Sequence, residues 1–335
     1  MQLLIKWIES TGYWSPWLFL AMFLAASFLM IWVLELMSSG GLEGTVLGTL
    51  VMPYCSGLGN LIFAYVLGRA GGDATEVLKM CLMNNVTNMT LILGLPAIIW
   101  GMNVMSEKSA SGKKSGRSKK NAHTHEVNRL SLLLTLTAVL FFTGATWALG
   151  ADGKIDRIDG LMLVGIFLFW QCFHIFEVLK TNVRQNKSFS WLLPVHLLLL
   201  GVGAFGIYVS TDWLVKWISQ IHTGFISANN MGWLSGLLNV VPNALLAVYY
   251  AYTRRPEIVY TSQVGDSHIC IPLCIGVFAL FKTIAVPPIF GVGVIILLGA
   301  TVVHFFFLAA FGRLPRYMGW VLVAAYVWFL YRGLM

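Results

Sequence analysis

Two stretches of this sequence, MNNVTNMTLILG at residues 83–94 and GDSHICIPLCIG at residues 265–276, decide its fold. Each places small and polar residues inside a long apolar segment, and each ends on a glycine. Polar groups are costly inside a membrane-spanning helix, so a matched pair of such stretches is typical of a functional position. The two stretches therefore predict a repeated unit with a polar centre.

The segments that precede these stretches also match each other. GLGNLIFAYVLGR at 57–69 and VVPNALLAVYYAYTR at 240–254 both run from a small residue or proline, through asparagine, to an apolar helix that ends at arginine. The interval from that asparagine to the glycine that ends the following stretch is 34 residues in the first copy and 33 in the second. The sequence thus predicts two copies of one helical hairpin. Shared apolar composition is the other explanation of the likeness.

The overall composition excludes a water-soluble fold. Of the 335 residues, 58% are hydrophobic and 11% are charged, whereas a soluble domain carries about 25% charged residues. The mean hydropathy is +0.76. Long unbroken apolar runs, instead of short alternating ones, argue against a transmembrane β-barrel. We therefore expect an all-α polytopic membrane protein that has the lipid bilayer as a partner.

Ten apolar runs are long enough to cross a bilayer, at about 20 residues per helix. They lie at 14–37, 43–69, 76–101, 130–149, 158–180, 191–211, 229–252, 258–283, 288–311 and 317–333. The long gap at 102–129 is rich in Ser and Lys and has no apolar period, which predicts an unstructured linker.

Basic residues alternate between the two sides of this ten-helix arrangement. Four alternate loops, at 102–129, 180–187, 254–255 and 313–316, hold 14 of the 22 lysine and arginine residues. The bias of Lys and Arg in short loops predicts that these loops are cytoplasmic and that both termini lie on the outer side. The net charge of +8 then follows from membrane topology, and we expect no nucleic-acid partner.

With this topology the two hairpins enter the membrane from opposite sides, so we expect two inverted five-helix repeats. In chain order the predicted parts are the first section of repeat one, a cytoplasmic basic linker, the remainder of repeat one, a cytoplasmic loop, and repeat two. Their bounds are 1–101 with a hairpin at 43–101, 102–129, 130–180, 181–190, and 191–335 with a hairpin at 229–283.

These residues resemble the cation/calcium antiporter superfamily, the sodium/calcium exchanger-like membrane proteins, whose repeats carry G-T-S-x-P-E followed by G-S-N-x-x-N. Here VLGTLVMPYCSGLGN (46–60) stands where the family has an apolar stretch that ends in Pro-Glu, and NNVTN (84–88) stands at S-N-x-x-N. In the second repeat, PN (242–243) and GDS (265–267) match Pro-Glu and Gly-Ser-Asn. ADGKIDRIDGLMLVG (151–165) resembles the family's segment before its fifth helix.

The resemblance implies an exchanger-like fold and cation transport. In the family, the two repeat glutamates supply carboxylate oxygens to sodium and calcium, but here both positions are asparagine, Asn60 and Asn243. An amide oxygen can bind a hard cation without adding charge, whereas calcium sites depend on several carboxylates. High-affinity calcium exchange is therefore not expected from these two positions.

Asp266 is the acidic residue that remains at membrane depth within the repeats, opposite Asn84 by pseudo-symmetry and two residues from His268. A carboxylate beside an imidazole can bind a proton or one monovalent cation. The alternative role for Asp266 is to cap a broken helix.

A polar stripe in the first hairpin completes the candidate ion-binding site. Asn84 and Asn88 share one helix face, next to Asn85, and either line a hydrated pathway or form interhelical hydrogen bonds. Ser56 and Asn239 fall one turn before the two repeat asparagines and are further candidate oxygen donors. The predicted ion-binding residues are Ser56, Asn60, Asn84, Asn85, Asn88, Asn239, Asn243, Asp266 and His268.

The remaining patterns indicate neither an enzyme nor an organic cofactor. No P-loop, Rossmann, HExxH or GxSxG string has a useful context. The five cysteines lie in apolar segments without metal-site spacing, so we expect small apolar side chains. Apart from a bound monovalent or divalent cation, we expect no cofactor.

These observations predict a secondary-active transporter, an ion-coupled antiporter of a cation or small solute. It would work by alternating access at a midplane site between inverted repeats. The alternative is a non-transporting membrane scaffold or sensor of the same fold that has lost the cation-binding glutamates. Substrate, coupling ion and oligomeric state stay open at this point.

Overall fold

The computed structural model describes residues 2–39, 52–104, 116–185 and 193–334. We number its helices and strands in chain order. The helices are α1 Gln2–Ser10, α2 Ser15–Ser39, α3 Met52–Arg69, α4 Thr75–Val86, α5 Leu93–Ile99, α6 Gly116–Leu149, α7 Arg157–Gln185, α8 Leu193–Ser219, α9 Met231–Tyr252, α10 Pro256–Ile269, α11 Ile275–Ala279, α12 Ile289–Phe311 and α13 Arg316–Leu334. The strands are β1 Met102–Asn103, β2 Lys154–Ile155, β3 Ile284–Ala285 and β4 Arg313–Leu314.

The all-α membrane architecture that the sequence predicts is confirmed. Four of the predicted spans coincide with helices: one with α3, one with α7, one with α10 and α11 together, and one with α13. The beginning of the predicted 43–69 span lies outside the described residues. The other six coincide with helical segments of the described chain that are long and apolar enough to cross a membrane. These segments are Gly12–Met37, Thr75–Ile99, Arg129–Asp152, Pro194–Ser219, Ala228–Tyr252 and Ile289–Phe311.

Both of the polar stretches interrupt a helix. Between α4 and α5, Thr87–Ile92 forms a π-helical segment in which threonine hydroxyls donate to carbonyl oxygens of the preceding turn at 2.5 Å. Between α10 and α11, the Cys270–Cys274 segment breaks at Ile271, whose φ of −114° and ψ of 111° are extended. Pro272 follows, and proline both lacks an N–H and disfavours helical backbone at the residue before it. Each hairpin therefore has an interrupted second helix.

Short strands join the two halves of the chain reciprocally. β1, just after α5, pairs antiparallel with β4, which precedes α13, and Met102 lies opposite Leu314. β2, which precedes α7, pairs antiparallel with β3, just after α11, and Ile155 lies opposite Ile284. The end of each hairpin is thus bound to the turn before the last helix of the other half.

Two contacts between glycines also join each hairpin to the other half of the chain. Gly94 on α5 lies against Gly319 on α13, where a Cβ built on Gly319 would lie 2.7 Å from the Gly94 carbonyl oxygen. Gly276 on α11 lies against Gly160 on α7, where a Cβ built on Gly160 would lie 2.9 Å from the Gly276 carbonyl oxygen. Small residues allow membrane helices to approach closely. Each hairpin therefore packs on the last helix of the other half.

The helices divide into a main core and a peripheral pair. One continuous cluster of buried apolar side chains draws mainly on α3 to α7 and α9 to α13. The buried side chains Phe23, Ala26 and Met30 of α2 form a separate cluster with Ile207 of α8. α2 packs along α8, and a Cβ built on Gly203 of α8 would lie 3.2 Å from the Ala26 carbonyl oxygen. The α2–α8 pair thus lies beside the core.

The predicted linker at 102–129 is only partly irregular. β1 occupies its beginning, residues 105–115 lie outside the described residues, and α6 already begins at Gly116. The expectation of an unstructured linker is wrong for its second part. Lysine, arginine and glutamate are good helix formers, so a polar segment can extend a membrane helix beyond the apolar span.

A capping box starts α7. The backbone N–H groups of Ile158 and Asp159 donate to Asp156 Oδ1 at 2.8 and 3.2 Å, and the Asp156 N–H donates to Asp159 Oδ2 at 2.9 Å. These reciprocal bonds satisfy N–H groups that the first helical turn leaves open. The Asp159 and Ile158 N–H groups favour the carboxylate form and lower the pKa of Asp156.

Candidate functional site

Asp266 lies at the centre of a polar cluster between the two hairpins. Its Oδ2 atom accepts hydrogen bonds from the Nδ2 atoms of Asn84 at 2.8 Å, Asn88 at 2.7 Å and Asn243 at 3.2 Å. We call these four residues the amide–carboxylate cluster. Asn243 is 2% exposed and the other three are fully buried. Their hydrogen bonds therefore act in a low-dielectric environment, where they are stronger than in water.

Local backbone features bring the cluster together. Asn84 and Asn88 lie one turn apart and share one helix face, on α4 and on the π-helical segment that follows it. The carboxylate lies close to α3, because a Cβ built on Gly57 would be 3.2 Å from Asp266 Oδ1. Glycine at position 57 thus lets the α3 backbone approach the acid.

A second pair of amides lies beside the cluster. The Asn239 Nδ2 atom donates to Asn60 Oδ1 at 2.8 Å, and both side chains are buried. A Cβ built on Gly59 would lie only 2.2 Å from Asn239 Oδ1, so this pair requires a glycine at position 59. Asn239 is one turn before Asn243 on α9, which connects the pair to the amide–carboxylate cluster.

The three remaining predicted site residues are Asn85, His268 and Ser56. The Asn85 Oδ1 atom accepts from Asn84 Nδ2 at 3.2 Å, and Asn85 Nδ2 donates to the backbone carbonyl of Ser267 at 2.8 Å. His268 is buried, with its ring centroid 6.4 Å from that of Phe167 on α7. Ser56 belongs to α3, and its side chain lies outside the described part of the structure. Asn85 therefore joins the two hairpins directly.

Several amide atoms in this region lack a hydrogen-bond partner among the described residues. They are Asn60 Nδ2, Asn84 Oδ1, Asn88 Oδ1 and Gln263 Oε1. An unpaired buried polar atom costs about 1–3 kcal/mol, and such atoms are often sites of ligand or water binding. Rotation of an amide by 180° exchanges its oxygen and its NH₂ group. The cluster amides can therefore present either donors or acceptors.

Among the four residues of the amide–carboxylate cluster, Asp266 alone carries a carboxylate. The second buried acid of the part that the structure describes, Glu76, forms an ion pair with Lys79 at 2.5 Å and accepts the Gly232 N–H at 2.6 Å. Among the residues whose side chains the structure describes, no lysine or arginine is buried. The dipoles of three amides thus stabilise the negative charge of Asp266.

The cluster is closed to solvent, and a small cavity lies beside it. The cavity has a volume of about 10 Å³ and is lined by Ser27 of α2, Ile207 of α8, and Asn239 and Asn243 of α9, among others. A volume near 10–15 Å³ is about that of one water-sized sphere. The α2–α8 pair forms the outer wall of this cavity.

Sequence reasoning missed three residues that the fold brings together near the cluster. The sulfur atoms of Cys81, Cys270 and Cys274 lie within 4.8 Å of one another. The expectation of small apolar side chains did not include this meeting of three sulfur atoms, because Cys81 and Cys270 are far apart in sequence. The available signal was their helix face, since Cys81 precedes Asn85 by one turn and Cys270 follows Asp266 by one turn.

Comparisons with known proteins agree with this architecture. The model of the sodium/calcium exchanger protein family matches residues 12–176 and 195–335. The chain resembles the sodium-calcium exchanger NCX_Mj soaked with 2.5 mM Na⁺ and 10 mM Sr²⁺, with a TM-score of 0.63 and 18% identity over 98% of this chain and 99% of that chain.

Two further NCX_Mj structures are similar. The exchanger soaked with 10 mM Na⁺ and 10 mM Sr²⁺ gives a TM-score of 0.64 and 18% identity, covering 97% of this chain and 98% of that chain. The exchanger soaked with zero Na⁺ and Ca²⁺ gives 0.61 and 17%, covering 95% and 96%. No curated protein matches the sequence.

The family match covers both hairpins and confirms the resemblance that the repeat motifs indicated. The likeness to NCX_Mj shows a shared fold over nearly the whole chain. The family consists of membrane cation antiporters and not of enzymes. This chain is therefore a member of the sodium/calcium exchanger protein family.

Proposed function

We propose that this protein is a secondary-active antiporter in which Asp266 is the charged ligand of the transported cation. The proposal depends on one observation: Asp266 Oδ2 is fully buried between the two hairpins and accepts amide hydrogen bonds from both. Ionisable groups inside a bilayer are costly and mark ion or proton pathways. A single carboxylate suits one monovalent cation, sodium or a proton, in each transport step.

The ligand set argues against calcium as the principal substrate. Calcium takes six to eight oxygen ligands, and tight sites include several carboxylates. At the two positions where the family has glutamate, Asn60 bonds Asn239 and Asn243 bonds Asp266. Neither amide adds negative charge, so we expect calcium to bind weakly.

Rotation of the cluster amides supports an exchange of ions at Asp266. In the present arrangement Asn84 and Asn88 direct their NH₂ groups to the carboxylate, and their Oδ1 atoms have no partner among the described residues. If both side-chain amides rotate by 180°, their two carbonyl oxygens and Asp266 Oδ2 all point to one position, where a cation can bind. The rotated cluster then offers three oxygen ligands to a cation, whereas the present one stabilises the ion-free carboxylate.

Alternating access requires that one part of the protein move past the closed cluster. The α2–α8 pair suits this role, because its small apolar clusters are separate from the main core and it forms the outer wall of the cavity beside Asn243. The four other helices that meet at the amide–carboxylate cluster are α3, α4, α9 and α10, and they belong to the main core. We infer that the α2–α8 pair slides while the core holds the ion.

Membrane orientation follows from the basic loops. The pairing of β1 with β4 brings the 102–103 and 313–314 segments together, so two of the four basic loops lie on the same side. We infer that this side is cytoplasmic, since short cytoplasmic loops carry the excess of Lys and Arg. Both termini then lie on the outer side.

The decisive experiment is transport by the purified chain in proteoliposomes. We would measure uptake of radioactive sodium against sodium and proton gradients, internal pH with a trapped dye, and uptake of radioactive calcium in parallel. We expect sodium or proton movement that Asp266→Asn abolishes, with little calcium uptake. Asp212→Asn is the matched control, because Asp212 forms an exposed ion pair with Lys216.

Two outcomes would overturn this proposal. Movement of ions that is equal in the natural chain and in Asp266→Asn would remove Asp266 from the transport site. If the folded natural chain moves no sodium, protons or calcium beyond the leak of protein-free liposomes, the result would instead support the non-transporting scaffold.

A further inference from the structure

Three thiols from both halves of the chain meet beside the transport cluster. Cys81 lies on α4, whereas Cys270 and Cys274 lie on either side of the break at Ile271. All three are buried and unoxidised, and their sulfur atoms lie within 4.8 Å of one another. Cys81 Sγ also donates to the carbonyl oxygen of Cys270 at 3.4 Å. We call these residues the cysteine cluster.

We propose that the cysteine cluster binds one thiophilic metal cation, of the class of Zn²⁺, Cd²⁺ or Cu⁺, at a site separate from Asp266. A thiolate–zinc bond is about 2.3 Å long. Three sulfur atoms that share one such cation therefore lie about 4 Å apart, by the geometry of a trigonal or tetrahedral site. The observed limit of 4.8 Å requires only small side-chain adjustments to reach that arrangement.

Ligand chemistry separates this site from the amide–carboxylate cluster. Thiolates are soft ligands that select Zn²⁺ or Cu⁺, whereas carboxylates and amides suit sodium and calcium. Each thiol that binds the cation releases its proton to solvent, so binding strengthens as the pH rises. A divalent cation offsets two of the three thiolate charges, and Cu⁺ offsets one, in a region where no described lysine or arginine is buried.

The position of the site gives it a structural consequence. A cation bound to Cys81, Cys270 and Cys274 joins α4 to both sides of the α10–α11 break. The same two helices meet at Asn84 and Asp266, about one turn away along each of them. Metal binding would therefore stiffen the contact between the hairpins, whatever ion the protein transports.

The test is a Cd²⁺ titration of the full-length protein, purified in detergent with a non-thiol reductant. Binding is read from the ultraviolet thiolate-to-cadmium charge-transfer band and from the metal retained per chain after gel filtration. We expect one Cd²⁺ per chain. Replacement of any cluster cysteine by serine should weaken binding at least about tenfold, which is the lower end of the loss from altered metal sites. Zn²⁺ should compete.

Two variants serve as matched controls. Cys172→Ser removes an exposed cysteine on α7 and should leave Cd²⁺ binding unchanged. Asp212→Asn on α8 should also leave it unchanged, because Asp212 forms an exposed ion pair with Lys216. Metal-free melting temperatures show whether each serine variant is folded.

A labelling measurement on the natural chain keeps the proposal testable if a serine variant fails to fold. In a denaturant series, Cd²⁺ should raise the denaturant concentration at which a small maleimide labels the buried Cys81, Cys270 and Cys274, while the exposed Cys172 is labelled equally with and without Cd²⁺. Cd²⁺ binding that survives all three serine substitutions would overturn the proposal. A disulfide mapped between two of the three cysteines in protein purified without reductant would overturn it as well.

Discussion

The two hairpins share a backbone plan but differ in chemistry. The first hairpin presents amides, Asn84 and Asn88, on α4 and a π-helical segment whose backbone stays helical. The second presents a carboxylate, Asp266, and its helix breaks into extended backbone at Ile271. A nearly symmetric scaffold thus surrounds an asymmetric site. The negative charge comes from one half, and most of the groups that stabilise it come from the other.

The largest effect is expected when the carboxylate moves from the second hairpin to the first. Asp266→Asn alone should weaken cation binding by a factor of about 100 to 4,000, because breaking a buried charged interaction costs about 3–5 kcal/mol and 1.4 kcal/mol is tenfold. Adding Asn84→Asp should restore part of the flux, since Asn84 Nδ2 lies 2.8 Å from Asp266 Oδ2. Proteoliposome flux measures both variants.

The control for this relocation is Asn85→Asp in the same Asp266→Asn background. Asn85 bonds the Ser267 carbonyl, so an acid at that position should not rescue transport. Equal rescue by the two acids would mean that any buried charge suffices, and that the geometry of the cluster does not matter.

A second test adds acids to both hairpins at once. We expect the Asn60→Glu/Asn243→Glu double variant to bind Ca²⁺ at least about tenfold more tightly than the natural chain, because calcium affinity rises with the number of carboxylate ligands. Calorimetric titration of purified protein measures the change, and the two single variants should be intermediate. An unchanged calcium affinity would mean that these positions do not face the bound ion.

The reciprocal glycine contacts allow a comparison of packing between the halves. Gly160→Ala and Gly319→Ala should each destabilise the protein by about 1–3 kcal/mol, because each added Cβ meets a backbone oxygen that cannot move aside. Gly165→Ala on α7 is the control. A Cβ there meets nothing within 4 Å, and replacing a helical glycine by alanine stabilises by about 0.5–1 kcal/mol. Thermal unfolding in detergent measures all three, and a loss at only one contact would break the symmetry.

The smallest effect concerns how the last helix of each half begins. α7 starts with the Asp156 capping box, whereas α13 starts at Arg316 after a proline. Because the Asp159 and Ile158 N–H groups lower the pKa of Asp156, its carboxylate stabilises the fold above the unfolded pKa, about 4. That contribution disappears as the pH falls through the lower folded pKa.

Asp156→Asn keeps a capping side chain that does not titrate. The apparent melting temperatures of the natural chain and Asp156→Asn should therefore converge as the pH falls below about 4. A difference that stays constant from neutral to acidic pH would show that the charge of Asp156 does not contribute.

The spans and the repeat could be predicted from the sequence, because the length of an apolar segment and the polar residues that interrupt it are local signals. It also predicted that Asp266 would lie opposite Asn84, which the structure brings to 2.8 Å. The direct contact of Asn60 with Asn239 was not predicted, because it depends on the close approach of the α3 backbone at Gly59. The role of these residues in transport stays a prediction.

Other features had no readable pattern. The cysteine cluster joins Cys81 to a segment 189 residues away, and cysteine is common in apolar helices for packing alone. Two-residue strands are too short for an alternating signal. The start of α6 at Gly116 was missed because its first turns are polar, and polarity was taken to indicate a linker.

The exchange of packing partners between the halves also bears on biosynthesis. Gly94 on α5 packs closely against Gly319 on α13, more than 200 residues later. A ribosome must therefore finish nearly the whole chain before this close contact of α5 can form. Until then the small-residue face around Gly94 stays in contact with lipid.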